Sequence, residues 1–138
     1  MISVIIVNYR TKHYLTDCLE ALVHTISGQK EVIVVDNNSG DNLDDLSTRY
    51  PEVQIIYHNA NDGFGSGINR GVREASGDWI VCINPDTQIQ SDPRPVLEDQ
   101  SEAVAVVGFA LMASQQEVQK YQFGSFPTPW TTLIGQEK

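Results

Sequence analysis

The stretch Asp78-Trp79-Ile80-Val81-Cys82-Ile83-Asn84-Pro85-Asp86-Thr87 carries an apolar run straight into a proline and a lone carboxylate. Proline fixes φ and has no amide to donate, so a strand over residues 79–83 ends before Pro85, and Asp86 stands on a stiff corner just past it. Three further β-branched runs precede this one, at residues 2–7, 31–35 and 53–57, and a fifth follows at 103–107. Their near-continuous apolarity predicts strands covered on both faces. Helical patterns fill the gaps. Thr11 is placed to cap a helix that carries Leu15, Cys18, Leu19, Leu22 and Val23 on one stripe. Residues 41–49 hold Leu43 and Leu46 and stop before Pro51, and residues 65–75 put Ile68, Val72 and Ala75 on a face predicted to be buried. Ser91-Asp92-Pro93 starts a further short helix. This alternation predicts an α/β fold, a three-layer α/β/α sandwich around a mostly parallel, doubly wound sheet.

The 138 residues read as a single domain, since no linker or low-complexity tract divides them. A net charge of -9 opposes nonspecific attraction to nucleic acid, which is not an expected partner. Cys18 and Cys82 have neither metal-ligand nor redox spacing and read as reduced core thiols. His13, His24 and His58 share no spacing and read as solvated or capping side chains. Apolar sequence begins at Ile2, too abruptly for a signal peptide, and no run approaches the ~20 residues of a membrane span. A cytoplasmic location is the expectation, with peripheral attachment at the inner face of the membrane as its variant. The segment Phe123-Gly124-Ser125-Phe126-Pro127-Thr128-Pro129-Trp130 reads as a loop with exposed aromatics, a candidate surface for homo-oligomer formation.

In such sheets ligands bind outside the carboxyl ends of the strands. Here those ends carry Asn8-Tyr9-Arg10, Asp36-Asn37-Asn38-Ser39 and Asn84-Pro85-Asp86, and the third helix opens with Asn61-Asp62-Gly63-Phe64-Gly65-Ser66-Gly67. Turn chemistry explains each cluster alone, but all four converge on one crevice. The glycines do not form a dinucleotide fingerprint, because Ile68 and Arg70 stand where its third glycine belongs. What remains is a helix start that admits a close neighbour and offers amides to an anion. Asp36 suits hydrogen bonds to a base or ribose. Asp86 suits Mg²⁺ or Mn²⁺, since such ions are commonly held by one or two carboxylates together with phosphate oxygens and water.

Together Val4-Ile5-Ile6-Val7-Asn8-Tyr9, Val34-Val35-Asp36-Asn37-Asn38-Ser39, the run from Asn61 to Gly71 and Ile83-Asn84-Pro85-Asp86-Thr87 resemble the family 2 glycosyltransferases of the GT-A fold. Bacterial rhamnosyltransferase-like members resemble them most. The resemblance implies transfer of a sugar, with inversion, from a dTDP- or UDP-sugar to a hydroxyl of a glycan or lipid-linked acceptor in cell-surface polysaccharide synthesis. It implies that Val7 and Tyr9 flank the base, that Asp36 and Asn37 meet the base edge or ribose, and that Gly67, Asn69 and Arg70 lie near nucleoside and diphosphate. Asn84 and Asp86 take the outer positions of the family's D-x-D element, with Asp86 as ligand of a divalent metal and Asn84 replacing the first aspartate. It also implies a general base and acceptor-binding helices beyond Lys138, and no catalytic base is identified within the chain. The alternative is a noncatalytic nucleotide-sugar-binding or assembly module. A nucleotidyltransferase is disfavoured, because residues 8–12 lack a Gly-rich basic loop.

Overall fold

The structure, a computed structural model, describes residues 1–101, 104, 106–114 and 117–119. It contains β1 (Ile2–Asn8), α1 (Lys12–Thr25), β2 (Lys30–Asp36), α2 (Asp44–Arg49), β3 (Val53–Tyr57), α3 (Phe64–Glu74), β4 (Trp79–Ile83), α4 (Arg94–Glu98), β5 (Met112–Ser114) and β6 (Glu117–Val118). The chain divides into two compact units after Gln100. In the first, four parallel strands lie in the order β3-β2-β1-β4. The second contributes the short antiparallel pair of β5 and β6.

The strand order explains where a ligand can enter. Right-handed crossovers carry the chain from β1 outward through β2 to β3 and then back across to β4, so the connections on either side of β1 leave opposite faces of the sheet. The crevice between them opens at the carboxyl ends of β1 and β4. Every residue of β1 is buried, because it pairs on both edges and is covered on both faces. The stripe of α1 is buried through Leu15, Cys18, Leu19 and Leu22, as the spacing predicts.

Several expectations are corrected. α2 begins at Asp44 rather than 41, since Asp41 is held in the preceding loop by a hydrogen bond from its amide to Ser39 Oγ, at 2.9 Å. Thr11 occupies the cap position of α1 without capping it: its hydroxyl donates to Asn8 Oδ1 at 2.8 Å. α3 does not bury Ile68, Val72 and Ala75. It packs through Gly67 and Gly71, one turn apart, and Val72 is exposed. A Cβ on Gly71 would lie 2.5 Å from Ile5 Cγ2, and one on Gly67 would lie 2.8 Å from Val7 Cγ1. The helix therefore sits closer to β1 than any side chain on its buried face allows.

β4 departs from the others. Val81 is buried, but Ile80 and Cys82 are exposed on the opposite face, so Cys82 is not the core thiol expected and only Cys18 is buried. Strand alternation is the reason, because β4 pairs only with β1 among the described residues and its second face is left open there. Val104, Val106 and Val107 are not in a strand, and the rest of residues 103–107 lies outside the described residues. So does the aromatic segment from Phe123 to Trp130.

Candidate functional site at the strand tips

Alternation along the strands sorts the tip residues onto two faces of the sheet. On the α1 face the register pairs Asn8 with Asp36, and these two side chains begin a buried network. Asn8 Nδ2 lies within hydrogen-bond reach of Asp36 Oδ1 at 2.7 Å, Asp41 Oδ2 at 3.0 Å and Ser39 Oγ at 3.2 Å. Asp36 also accepts from the Ser39 hydroxyl at 2.5 Å and from its amide at 3.1 Å. Asn38 sits in the left-handed region at φ 57°, a conformation asparagine tolerates, and this turns the chain back so that Ser39 reaches Asp36.

Asp36 is thus only 4% exposed and its carboxylate is spent inside the protein. The structure does not bring it to a position that meets a base or ribose. The physical reason is the pleat, which turns Asp36 inward beside Asn8 and its neighbour Asn37 to the other face. Asp36 acts on the site by holding the loop that follows it.

On the α3 face the tips form an open cleft of about 320 Å³, lined by Val7, Tyr9, Thr11, Asn37, Asn61, Gly63, Phe64 and Pro85. Val7, Tyr9 and Asn37 are the sequence-predicted residues it unites. Tyr9, in the loop after β1, and Phe64, the first residue of α3, are large exposed rings, 40% and 52% accessible, on two different elements at its edge. Arg10, at φ 58°, lays its guanidinium 5.2 Å from the centre of the Tyr9 ring. Asn61, Gly63, Phe64 and Pro85 belong to tip clusters that the sequence directs to this crevice, but the sequence assigns none of them an individual role. Polar and glycine positions before a helix read as turn formers, and only a third element at the same crevice gives them another meaning.

Asn37 is 1% exposed. Its Nδ2 donates to the Gly63 carbonyl at 2.9 Å and lies 3.5 Å from Asn61 Oδ1, whereas its own Oδ1 has no hydrogen-bond partner among the described residues. Gly67 stands beside it, and a Cβ there would lie 3.4 Å from Asn37 Nδ2.

The remaining predicted residues surround this cleft without lining it. Asn69 is exposed on α3. Arg70 pairs with Asp62 at 3.3 Å and keeps a buried Nε without a partner among the described residues. His58 Nδ1 accepts the Asn59 amide, so Nε2 carries the proton and donates to the same Asp62 oxygen at 2.9 Å. That hydrogen bond, more than the Arg70 charge, holds the Asp62 carboxyl below its ordinary value. His58, Asp62 and Arg70 together pin the turn that supplies Asn61 and Gly63.

Asn84 and Asp86 are exposed on either side of Pro85. Asp86 is close enough to Cys18 to add to the burial that pushes that thiol up to about 12, so Cys18 is an inert core group. No group of three or more His, Cys, Asp or Glu side chains capable of holding a metal occurs among the described residues. One carboxylate and one amide at an open strand tip fit a hard divalent ion that takes most of its oxygens from a ligand and water. They do not form a cage of their own.

Comparison with known proteins turns this architecture into a class. The fold is shared with residues 1–349 of TarS from S. aureus in complex with UDP, at a TM-score of 0.63 and 22% identity over 70% of this chain and 30% of that one. It is shared also with the mannosyltransferase PcManGT from Pyrobaculum calidifontis in complex with GDP-Man and Mn²⁺, at 0.60 and 20% over 67% and 29%. The unit therefore has the GT-A fold. The model of Glycosyl transferase family 2 matches residues 3–138, and the chain belongs to that family. A putative glycosyltransferase, EpsH of Bacillus subtilis, is 30% identical over 66% of this chain and 27% of its own length. The chain spans less than a third of each of these relatives. No helix among the described residues is long and apolar enough to cross a membrane.

Proposed function

We propose that the strand-tip cleft binds the nucleoside of a nucleotide-diphosphate sugar, and that the chain is the donor-binding part of an inverting glycosyltransferase acting on a glycan or lipid-linked hydroxyl. The observation that carries this reading is the joint presence, in one cleft of a family 2 domain, of exposed aromatic rings at the mouth and a buried acceptor on Asn37 with no partner among the described residues. A planar base fits between such walls, with apolar contact from Val7 below. Asn84 and Asp86, flanking Pro85, take the diphosphate side, where Asp86 would hold Mg²⁺ or Mn²⁺. A divalent ion there offsets the phosphate charge that grows as the sugar departs. The relatives that carry UDP, or GDP-Man with Mn²⁺, support both parts of this reading. The chain's own residues bind and orient the donor, and no general base is assigned among those described.

Calorimetric titration of the 138-residue chain with UDP and with dTDP, each with and without Mn²⁺, tests the proposal. Binding strengthened by Mn²⁺ is expected, and Asp86→Ala should remove the Mn²⁺-dependent part while leaving metal-free binding in place. No heat in any combination overturns it.

A further inference from the structure

Asn61, Gly63 and Phe64 line the cleft, whereas Asp62, between them, does not. Asp62 is where their turn is held. One of its oxygens accepts from His58 Nε2 at 2.9 Å and from Arg70 at 3.3 Å. The turn also closes on itself, since the Gly63 amide donates to Asn61 Oδ1 at 3.0 Å. His58 is anchored in its own right. Its backbone amide donates to the Asp36 carbonyl at 2.9 Å, continuing the pairing of β2 with β3 past Tyr57, and its ring Nδ1 accepts the Asn59 amide at 2.6 Å. Only 15% of the side chain is exposed. One imidazole thus ties the end of β3 to the turn that supplies a wall of the cleft.

Both ring bonds require the neutral ring. Nδ1 accepts only while it carries no proton, and a second proton there sets N–H against N–H across 2.6 Å. At Nε2 the proton stays, and its bond to Asp62 becomes charge-assisted, so one contact strengthens as the other is lost. The charged groups that meet the ring among the described residues are Asp62, in the turn, and Arg70, on α3, through the same oxygen. Tyr57, one residue earlier, reaches Asp44 instead. The Asp62 carboxyl, held low first by the His58 bond, stays ionised where imidazoles titrate. A protonated ring therefore remains on Asp62, and the Asn59 amide, two residues before Asn61, has to turn away.

We infer that His58 is a positioning residue of the cleft: its neutral ring locks the segment from His58 to Gly63, and protonation of that ring frees the Asn59 amide and loosens the wall formed by Asn61 and Gly63. The consequence for affinity rests on the reading of the cleft as a nucleoside site. Donor binding weakens as pH falls through the imidazole range. One neutral hydrogen bond is at stake, which corresponds to a loss of about three- to tenfold.

Two measurements on the full chain, from about pH 8 down to about pH 5, test this. Nitrogen-15 NMR without nucleotide should show His58 Nδ1 bare at the upper end, and the Asn59, Asn61 and Gly63 amides moving together with the ring as it titrates. A protonated Nδ1 at the upper end, or an Asn59 amide indifferent to the ring, overturns the lock. Calorimetric titration with UDP and Mn²⁺ then compares the unaltered chain with His58→Asn, whose side-chain oxygen can still accept the Asn59 amide but does not titrate. Protonation of the nucleotide's phosphate affects both chains alike, so the ratio of their affinities is the readout. That ratio should move about three- to tenfold against the unaltered chain as pH falls, and a constant ratio overturns the control of affinity by His58. His58→Gln, which offers Asp62 a donor and the Asn59 amide no acceptor, should bind UDP more weakly than His58→Asn at the upper end; equal or tighter binding also overturns it. Absence of UDP binding at every pH overturns the nucleotide-site reading and the control of affinity together. The spectra tell that failure from a failure of the lock, since they need neither a nucleotide nor a variant that folds.

Discussion

On the α1 face of the strand tips Asp36 is nearly inaccessible and takes hydrogen bonds from Asn8 and Ser39, while one residue later, on the α3 face, Asn37 keeps an oxygen without a partner among the described residues, beside an open cleft. Both are small polar residues at the end of the same strand, and the pleat alone separates them. One face is a closed network that shapes the loop, and the other is a partly satisfied surface whose remaining bond is left for a ligand. Polar residues at strand ends are therefore two populations, and what divides them is the parity of their position.

The largest effect should come from breaking the closed face. Asp36→Ala strips partners from Asn8 and Ser39 in a buried setting and should lower stability by about 3 kcal/mol, read from urea unfolding. Gly71→Ala, behind the open face, forces a methyl into Ile5 and should cost about 1–3 kcal/mol in the same measurement. If both helix and strand absorb it without loss, the close approach of α3 is not required by packing. Asn37→Ala should cost about 1 kcal/mol, since it gives up the bond to Gly63 yet also removes the unpaired oxygen. A loss as large as that of Asp36→Ala would erase the distinction between the faces.

The smallest effect lies at the opposite end of the sheet. Glu31 is held below its ordinary value first by the Ser3 hydroxyl and then by the Ser76 amide. A depressed folded value means that Glu31 contributes stability above pH 4.5, and that this is lost as pH falls through the folded value. Glu31→Gln should therefore flatten part of the fall in stability between pH 6 and pH 3, with no effect on nucleotide affinity. A change in UDP binding would show that the amino-terminal edge of the sheet communicates with the cleft.

Much of this is legible in the sequence, for stated reasons. The runs that form β1 and β2 are β-branched on both faces, and strands buried on both faces leave that signature. The tip clusters are legible as a site only because four of them converge. What is not legible depends on distance and direction. Ile68 and Val72 have the right spacing for a core stripe, yet Gly67 and Gly71 win the sheet because a helix without side chains can approach nearer. Thr11 has the right chemistry for a cap, but its side chain is turned to Asn8, to whose Oδ1 it donates, and its oxygen accepts no helix amide. The apolar pattern of β4 does not reveal that Ile80 and Cys82 remain exposed, since a sequence states what a strand can bury and not what is there to cover it.

The paired glycines on α3 also relocate control of the cleft. A helix that brings no side chains of its own to the sheet at two successive turns takes its standoff from the atoms beneath it, here the branched ends of Ile5 and Val7. The width between Phe64 at the start of α3 and the Tyr9 loop is then a function of side-chain volume in β1. Exchanging Ile5 for valine, at a position remote from the cleft lining, would act on the aperture as a shim does, which makes the hydrophobic interior of the first strand an adjustable determinant of what the mouth admits.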